Sequence, residues 1–149
     1  MELQWSIEGE QQLARRLQGV NESMGSWKPA FKKTAKVLKN TFQNDVFNTK
    51  GGVIDETWRP LSPTYLAKKR EQGYPSQPLV RTGKMQRSFK DLVKPDSATI
   101  WNAIRYFKYH QSNRPRSSSL PRRVVMKLGN RQKEEVVKIF HTHFVKKLK

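Results

Sequence analysis

Phe31, Ala35, Leu38, Phe42 and Val46 recur at intervals of three and four residues. That spacing places all five on one stripe of an amphipathic helix over Ala30 to Val46, with Lys32, Lys33, Lys36 and Lys39 on its flank and far side. A helix with one apolar stripe has to bury it, so the rest of the chain must supply the covering surface. The four lysines read as a solvated face above a core stripe rather than as a polyanion site. Gly25-Ser26-Trp27-Lys28-Pro29 punctuates the chain just before this helix.

Further elements follow from local patterns. Leu3, Trp5 and Ile7 alternate with Glu2, Gln4 and Ser6, which predicts a short half-buried strand ended by Gly9; Glu10 to Leu17 then reads as helix. Phe47 to Glu56 is a loop hinged at Gly51-Gly52. Ser62 is placed to cap a helix with its hydroxyl, and Pro63 occupies the first helical position, where a missing N–H costs nothing. Thr82-Gly83 reads as the entry to a short helical turn carrying Met85 and Phe89. Ser88 to Val93 and Thr99 to Trp101 predict two strands joined at Pro95-Asp96-Ser97. The aromatic segment Ile104 to Gln111 reads as a further strand, and Arg114 to Ser119 as a Pro/Arg/Ser loop. A closing helix is expected over Arg131 to Leu148, capped by Asn130, with Glu134 and Glu135 early and Lys146, Lys147 and Lys149 at its end, as the helix dipole favours. Its apolar face is Val136, Val137, Ile139, Phe140, Phe144 and Leu148.

Charge narrows the choice of partners. The chain carries 30 Lys and Arg against 12 acids, a net +18 that is graded along its length. Residues 1–30 net −1, residues 31–100 net +8 and residues 101–149 net +11. Such an excess favours DNA or an acidic protein surface, and makes subunits repel unless a counter-charge lies beside them. Arg114, Arg116, Arg122 and Arg123 fall within ten residues that hold no acid, and are expected to face one of those two partners.

Catalytic chemistry finds little support. There are no cysteines, which excludes disulfides and thiolate metal sites. His141 and His143, two apart on a helix, point to nearly opposite sides and cannot share an ion; His143 reads as a partly buried packing residue. Asp55-Glu56 is taken as loop solvation, and Gly51-Gly52 lacks the Lys-Ser/Thr partner of a phosphate loop. His110 and Arg114 lack the distal Arg–Tyr arrangement of a strand-transfer enzyme. No enzymatic activity, cofactor, metal or small-molecule substrate is expected. No apolar run is long enough to span a bilayer and Met1 to Trp5 lacks a signal-peptide pattern, so a soluble protein made in a cytosol is expected. Trp5, Trp27, Trp58 and Trp101 read as core or interface anchors.

The wording of Trp58-Arg59-Pro60-Leu61-Ser62, followed by Leu79-Val80-Arg81-Thr82-Gly83 and a Ser five residues after that Gly, resembles the phage virion morphogenesis family, the Mu-like tail-completion proteins. Phe47, Gly52 and Trp58 match the family's order of a helix end, a Gly loop and the Trp segment. Tyr106 with His110-Gln111 is similar to its Tyr-Ala-x-x-His-Gln element, with Phe107 in place of the small residue and Ser112-Asn113 where a Gly is usual. Pro121 and Arg123 match its Ile-Pro-Ala-Arg-Pro-Phe element. The resemblance makes Trp58, Pro60, Leu61, Ser62, Thr82 and Gly83 structural anchors.

It also implies a single α+β domain over 1–149, with a small antiparallel β-sheet packed against the long amphipathic helix and a C-terminal helix. The mixed helix and strand signals agree. A basic extended loop is expected at about 112–121, poorly ordered in a free monomer. The implied function is a virion structural protein of the neck, at the head–tail junction, assembled in the host cytoplasm. It would act as a homo-oligomeric, hexameric ring around the DNA channel. Its partners would be connector and tail-tube proteins, with non-specific contact to genomic DNA and none to membrane. The alternative is a stand-alone basic DNA-binding protein. Against it, no helix-turn-helix, zinc or basic-zipper pattern is present.

Overall fold

The computed structural model describes residues 25–111 and 120–148. The strand expected at Leu3 to Ile7, the helix expected at Glu10 to Leu17, and residues 112–119 of the basic loop lie outside the described residues.

The first described helix, α1, spans Lys28–Asn40 and has Pro29 in its first turn. Ser26 Oγ accepts from the Lys28 amide at 3.1 Å just before it. The helix continues without a break through a π-helical segment, Thr41–Asp45, into a last turn, Val46–Asn48. One extra residue in that turn is what a π-bulge supplies. It keeps Phe42 and, five residues on, Phe47 both turned to the core, where they are buried with Val46. The expected stripe is therefore the buried face, while Lys32, Lys33 and Lys36 are exposed.

The loop after α1 closes tightly. Gly51 takes φ +82°, and a Cβ there would lie 2.0 Å from the Glu56 carbonyl oxygen, so only glycine fits. The Trp58 amide then donates to the Lys50 carbonyl at 2.8 Å, delivering Trp58 to the core. Asp55 and Glu56 do more than solvate this loop. Asp55 Oδ2 accepts from the Asn130 amide at 2.9 Å, capping the last helix from across the chain, and Glu56 pairs with Lys127 at 2.8 Å.

Helix α2, Pro63–Glu71, starts as expected, with Ser62 Oγ accepting from the Tyr65 amide at 3.3 Å. After a 3₁₀ turn at Gln86–Ser88 come β1, Phe89–Val93, and β2, Ala98–Asn102. They pair antiparallel, Phe89 opposite Asn102 and Val93 opposite Ala98, and the Lys94 amide bonds the Ser97 carbonyl across the turn. The hairpin lies on α1: Phe89 meets Phe42 at 6.4 Å between ring centroids, and Lys39 Nζ reaches Asp91 Oδ1 at 2.7 Å.

Ile104 to Gln111 is not the expected strand. It turns at Arg105-Tyr106 and forms a short helix, α3, Phe107–Gln111. One helical turn puts Phe107 and Gln111 on the same side. Phe107 enters the core edge-on to Phe89 at 5.6 Å, and Gln111 satisfies the backbone of Val125 and Met126. A strand would have kept those two side chains on one face but set them about 13 Å apart, too far for both to meet this one corner of the core.

The last helix, α4, spans Asn130–Leu148 and packs on the far end of α1. Phe140 stands edge-on to Phe31 at 5.0 Å and stacks with Trp27 at 6.0 Å; His143 lies against the Trp27 ring at 5.3 Å. Of the expected apolar face, Ile139 is buried, whereas Val137 and Leu148 are exposed. The fold is α+β: a two-stranded antiparallel sheet and a C-terminal helix share the long helix α1 as their support.

Candidate functional site

Two segments far apart in sequence are stapled side by side. Trp58 is 5% exposed, meets Phe47 edge-on at 5.5 Å, and donates its indole N–H to the Val124 carbonyl at 2.6 Å. Arg123, also 5% exposed, reaches the opposite way. Its Nε donates to the Arg59 carbonyl at 2.9 Å and its Nη2 to the Pro60 carbonyl at 3.2 Å. Neither staple can be replaced by a residue without a matching donor, because each carbonyl would be left unpaired.

A third segment is tied in from α2. Lys69, 3% exposed, donates to the Gln77 carbonyl at 2.8 Å and the Val80 carbonyl at 2.6 Å, folding the returning loop back on its own helix. That loop ends at Gly83, with φ +74°, where a Cβ would lie 2.5 Å from the Arg87 guanidinium. Arg87 Nη2 instead donates to the Thr82 carbonyl at 2.9 Å. The fourth side is formed by Tyr106 and by His110 of α3, with Leu120 and Pro121 also lining the groove.

Together these segments enclose a groove of about 1220 Å³. Pro60, Leu61, Ser62, Thr82, Gly83 and Arg123 all line it, as do Tyr106, His110 and Pro121, while Trp58 holds one wall from behind. The motif stretches singled out in the sequence thus converge on one concave surface. Arg59, Lys69, Arg81 and Lys84 join Arg123 there, and no Asp or Glu is among the described residues lining it. Burial pushes the Lys69 ammonium below its ordinary pKa, with the charges of Arg123 and then Arg81 adding to the effect. Arg123 is likewise pushed down, first by burial and then by Arg59, with Tyr65 acting in the opposite sense.

The expected arginine cluster divides. Arg114 and Arg116 lie outside the described residues, and Arg122 is exposed. Arg123 departs from the expectation of an outward-facing contact: its side chain is spent on two backbone carbonyls inside the fold, because that is where the Arg59–Pro60 segment needs donors. Lys69, Arg59, Arg81 and Lys84 were not singled out as site residues from the sequence. Nothing local marks Lys69 among its neighbours Lys68 and Arg70, since its burial depends on where residues 77–80 return.

The arrangement suits non-covalent recognition of negative charge. Among the described residues no group of three or more His, Asp or Glu is placed to hold a metal ion, and no helix is long and apolar enough to cross a membrane. A model of the phage virion morphogenesis family matches residues 9–145. No curated protein and no solved structure matches the chain.

Proposed function

Because the chain belongs to the phage virion morphogenesis family, we propose that it is a structural protein of the bacteriophage neck, completing the tail and joining it to the head as a hexameric ring around the DNA channel. The observation that carries this reading is the convergence of the Trp58–Ser62, Thr82–Gly83, Tyr106–His110 and Pro121–Arg123 stretches on one acid-free groove. Such a surface is shaped to hold a neighbour rather than to transform a substrate. The net +18 supports the same reading, since subunits this basic need counter-charge from connector or tail-tube proteins, or from the genome they surround. In this reading Arg122, with Arg114 and Arg116, meets that counter-charge at the ring's surface, and the protein sits at the head–tail junction of the virion after assembly in the host cytoplasm.

A stand-alone DNA-binding protein is the competing reading, and net charge is what favours it. Native mass measurement and electron microscopy of the purified protein, alone and with isolated tails, separate the two. A neck protein forms rings or joins tail ends, and its DNA binding is weak and falls steeply with added salt. A protein that ignores tails yet binds one DNA sequence or structure preferentially at physiological salt would overturn the neck reading.

A further inference from the structure

We propose that the groove between the Trp58–Ser62 segment, the 79–85 loop and α3 is a docking site for an extended acidic polypeptide segment that alternates carboxylates with apolar side chains. That its owner is another virion protein rests on the neck reading; that the groove takes such a peptide does not.

Size comes first. At about 1220 Å³ the groove exceeds the 300–1,000 Å³ usual for small-molecule sites. Charge comes second. Five cationic side chains line it, and among the described residues neither Lys69 nor Arg123 forms an ion pair; the pairs present, Lys39–Asp91 and Lys127–Glu56, belong to other parts of the surface. Arg59, Arg81 and Lys84 are exposed at the same groove, so an incoming carboxylate can pair with them while Lys69 and Arg123 keep their backbone carbonyls. Surface chemistry comes third. Leu61, Leu79 and Leu120 line it together with the cations, and Tyr65 and Tyr106 are about half exposed. Apolar side chains spaced between carboxylates would find partners there. A DNA duplex fits less well, since its phosphate backbone offers no apolar side chains to Leu61, Leu79 and Leu120.

The test is fluorescence anisotropy with the full chain and a labelled synthetic peptide alternating glutamate and leucine, at physiological salt. Arg81→Glu combined with Lys84→Glu reverses two exposed groove charges. Lys32→Glu combined with Lys36→Glu makes the same charge change on the exposed face of α1. The groove pair is expected to weaken binding by about tenfold or more, while the α1 pair changes it by less than about threefold. If circular dichroism shows the groove pair misfolded, Arg59→Glu, altering a side chain at another wall, serves in its place with the same expectation. Equal losses in both pairs would reduce the effect to net charge and overturn the proposal. So would absence of peptide binding to the unaltered protein, or an oligothymidylate that binds more tightly than the peptide through the same residues. Failure of the protein to join tails would sink the neck reading and leave the peptide result standing.

Discussion

Trp58→Ala removes the side chain that joins the last turn after α1 to the segment around Val124. The side chain is 5% exposed, and its ring sits edge-on to Phe47 at 5.5 Å. Deleting a buried aromatic of this size costs about 3–5 kcal/mol. The indole N–H also leaves the buried Val124 carbonyl without its donor, and an unpaired buried acceptor costs about 1–3 kcal/mol. These two effects overlap, because a cavity admits some relaxation, so a total near the upper end of the first range is expected. Against a typical domain stability of about 5–15 kcal/mol, that is a large fraction. Urea unfolding followed by far-ultraviolet circular dichroism reads it out. With a slope of about 2 kcal/mol per molar urea, a loss of about 4 kcal/mol moves the midpoint down by about 2 M. Trp58→Phe keeps a ring against Phe47 and removes the hydrogen bond, so it should cost distinctly less than Trp58→Ala. A Trp58→Ala loss under about 1 kcal/mol, well below the range for a buried aromatic, would refute the reasoning and make this segment peripheral.

Other outcomes follow from the same contacts. Asp55→Ala should cost about 1 kcal/mol, the usual worth of a helix cap, and Gly129→Ala more, since its Cβ would lie 2.8 Å from Asp55 Oδ2 and from the Ile54 carbonyl carbon; thermal melts compare the two. Arg123→Lys should destabilise by about 1–3 kcal/mol because one ammonium cannot serve the Arg59 and Pro60 carbonyls as the guanidinium fork does. Arg122→Gln, at an exposed position, should stay within about 0.5 kcal/mol in the same urea titration. Lys69 titrates lower in the fold than when unfolded, so between those two values the unfolded chain binds the extra proton. Its contribution to stability therefore rises with pH through the folded value and levels off near 10.5, and Lys69→Met should flatten that part of the stability profile.

Helix α1, the hairpin, α2 and α4 were legible because their signals are local. The Phe31–Val46 stripe, Ser62 before Pro63, and Pro95-Asp96-Ser97 between two alternating runs each need only neighbouring residues to be understood. What escaped were features fixed by distant backbone. Ile104 to Gln111 alternates well enough for a strand, yet Gln111 is required by the amides of Val125 and Met126, 14 and 15 residues on. Asp55 looks like a solvated loop acid until the Asn130 amide, 75 residues away, is brought to it. Arg123 reads as an outward-facing charge and Lys69 draws no notice among its basic neighbours for the same reason: their carbonyl partners are placed by tertiary structure. The groove was half visible. Its anchors Pro60, Leu61, Ser62, Thr82 and Gly83 stood out by resemblance, but their shared surface with Arg59, Arg81 and Lys84 exists only once the Trp58 and Arg123 staples close.

The neck assignment is tested most directly by electron microscopy of particles assembled in cells whose phage lacks this protein. Genome-filled heads and complete tail tubes, present in quantity but unjoined, are the predicted result, with joining restored by the unaltered chain supplied in trans. Intact, infectious virions formed without the protein would contradict the account.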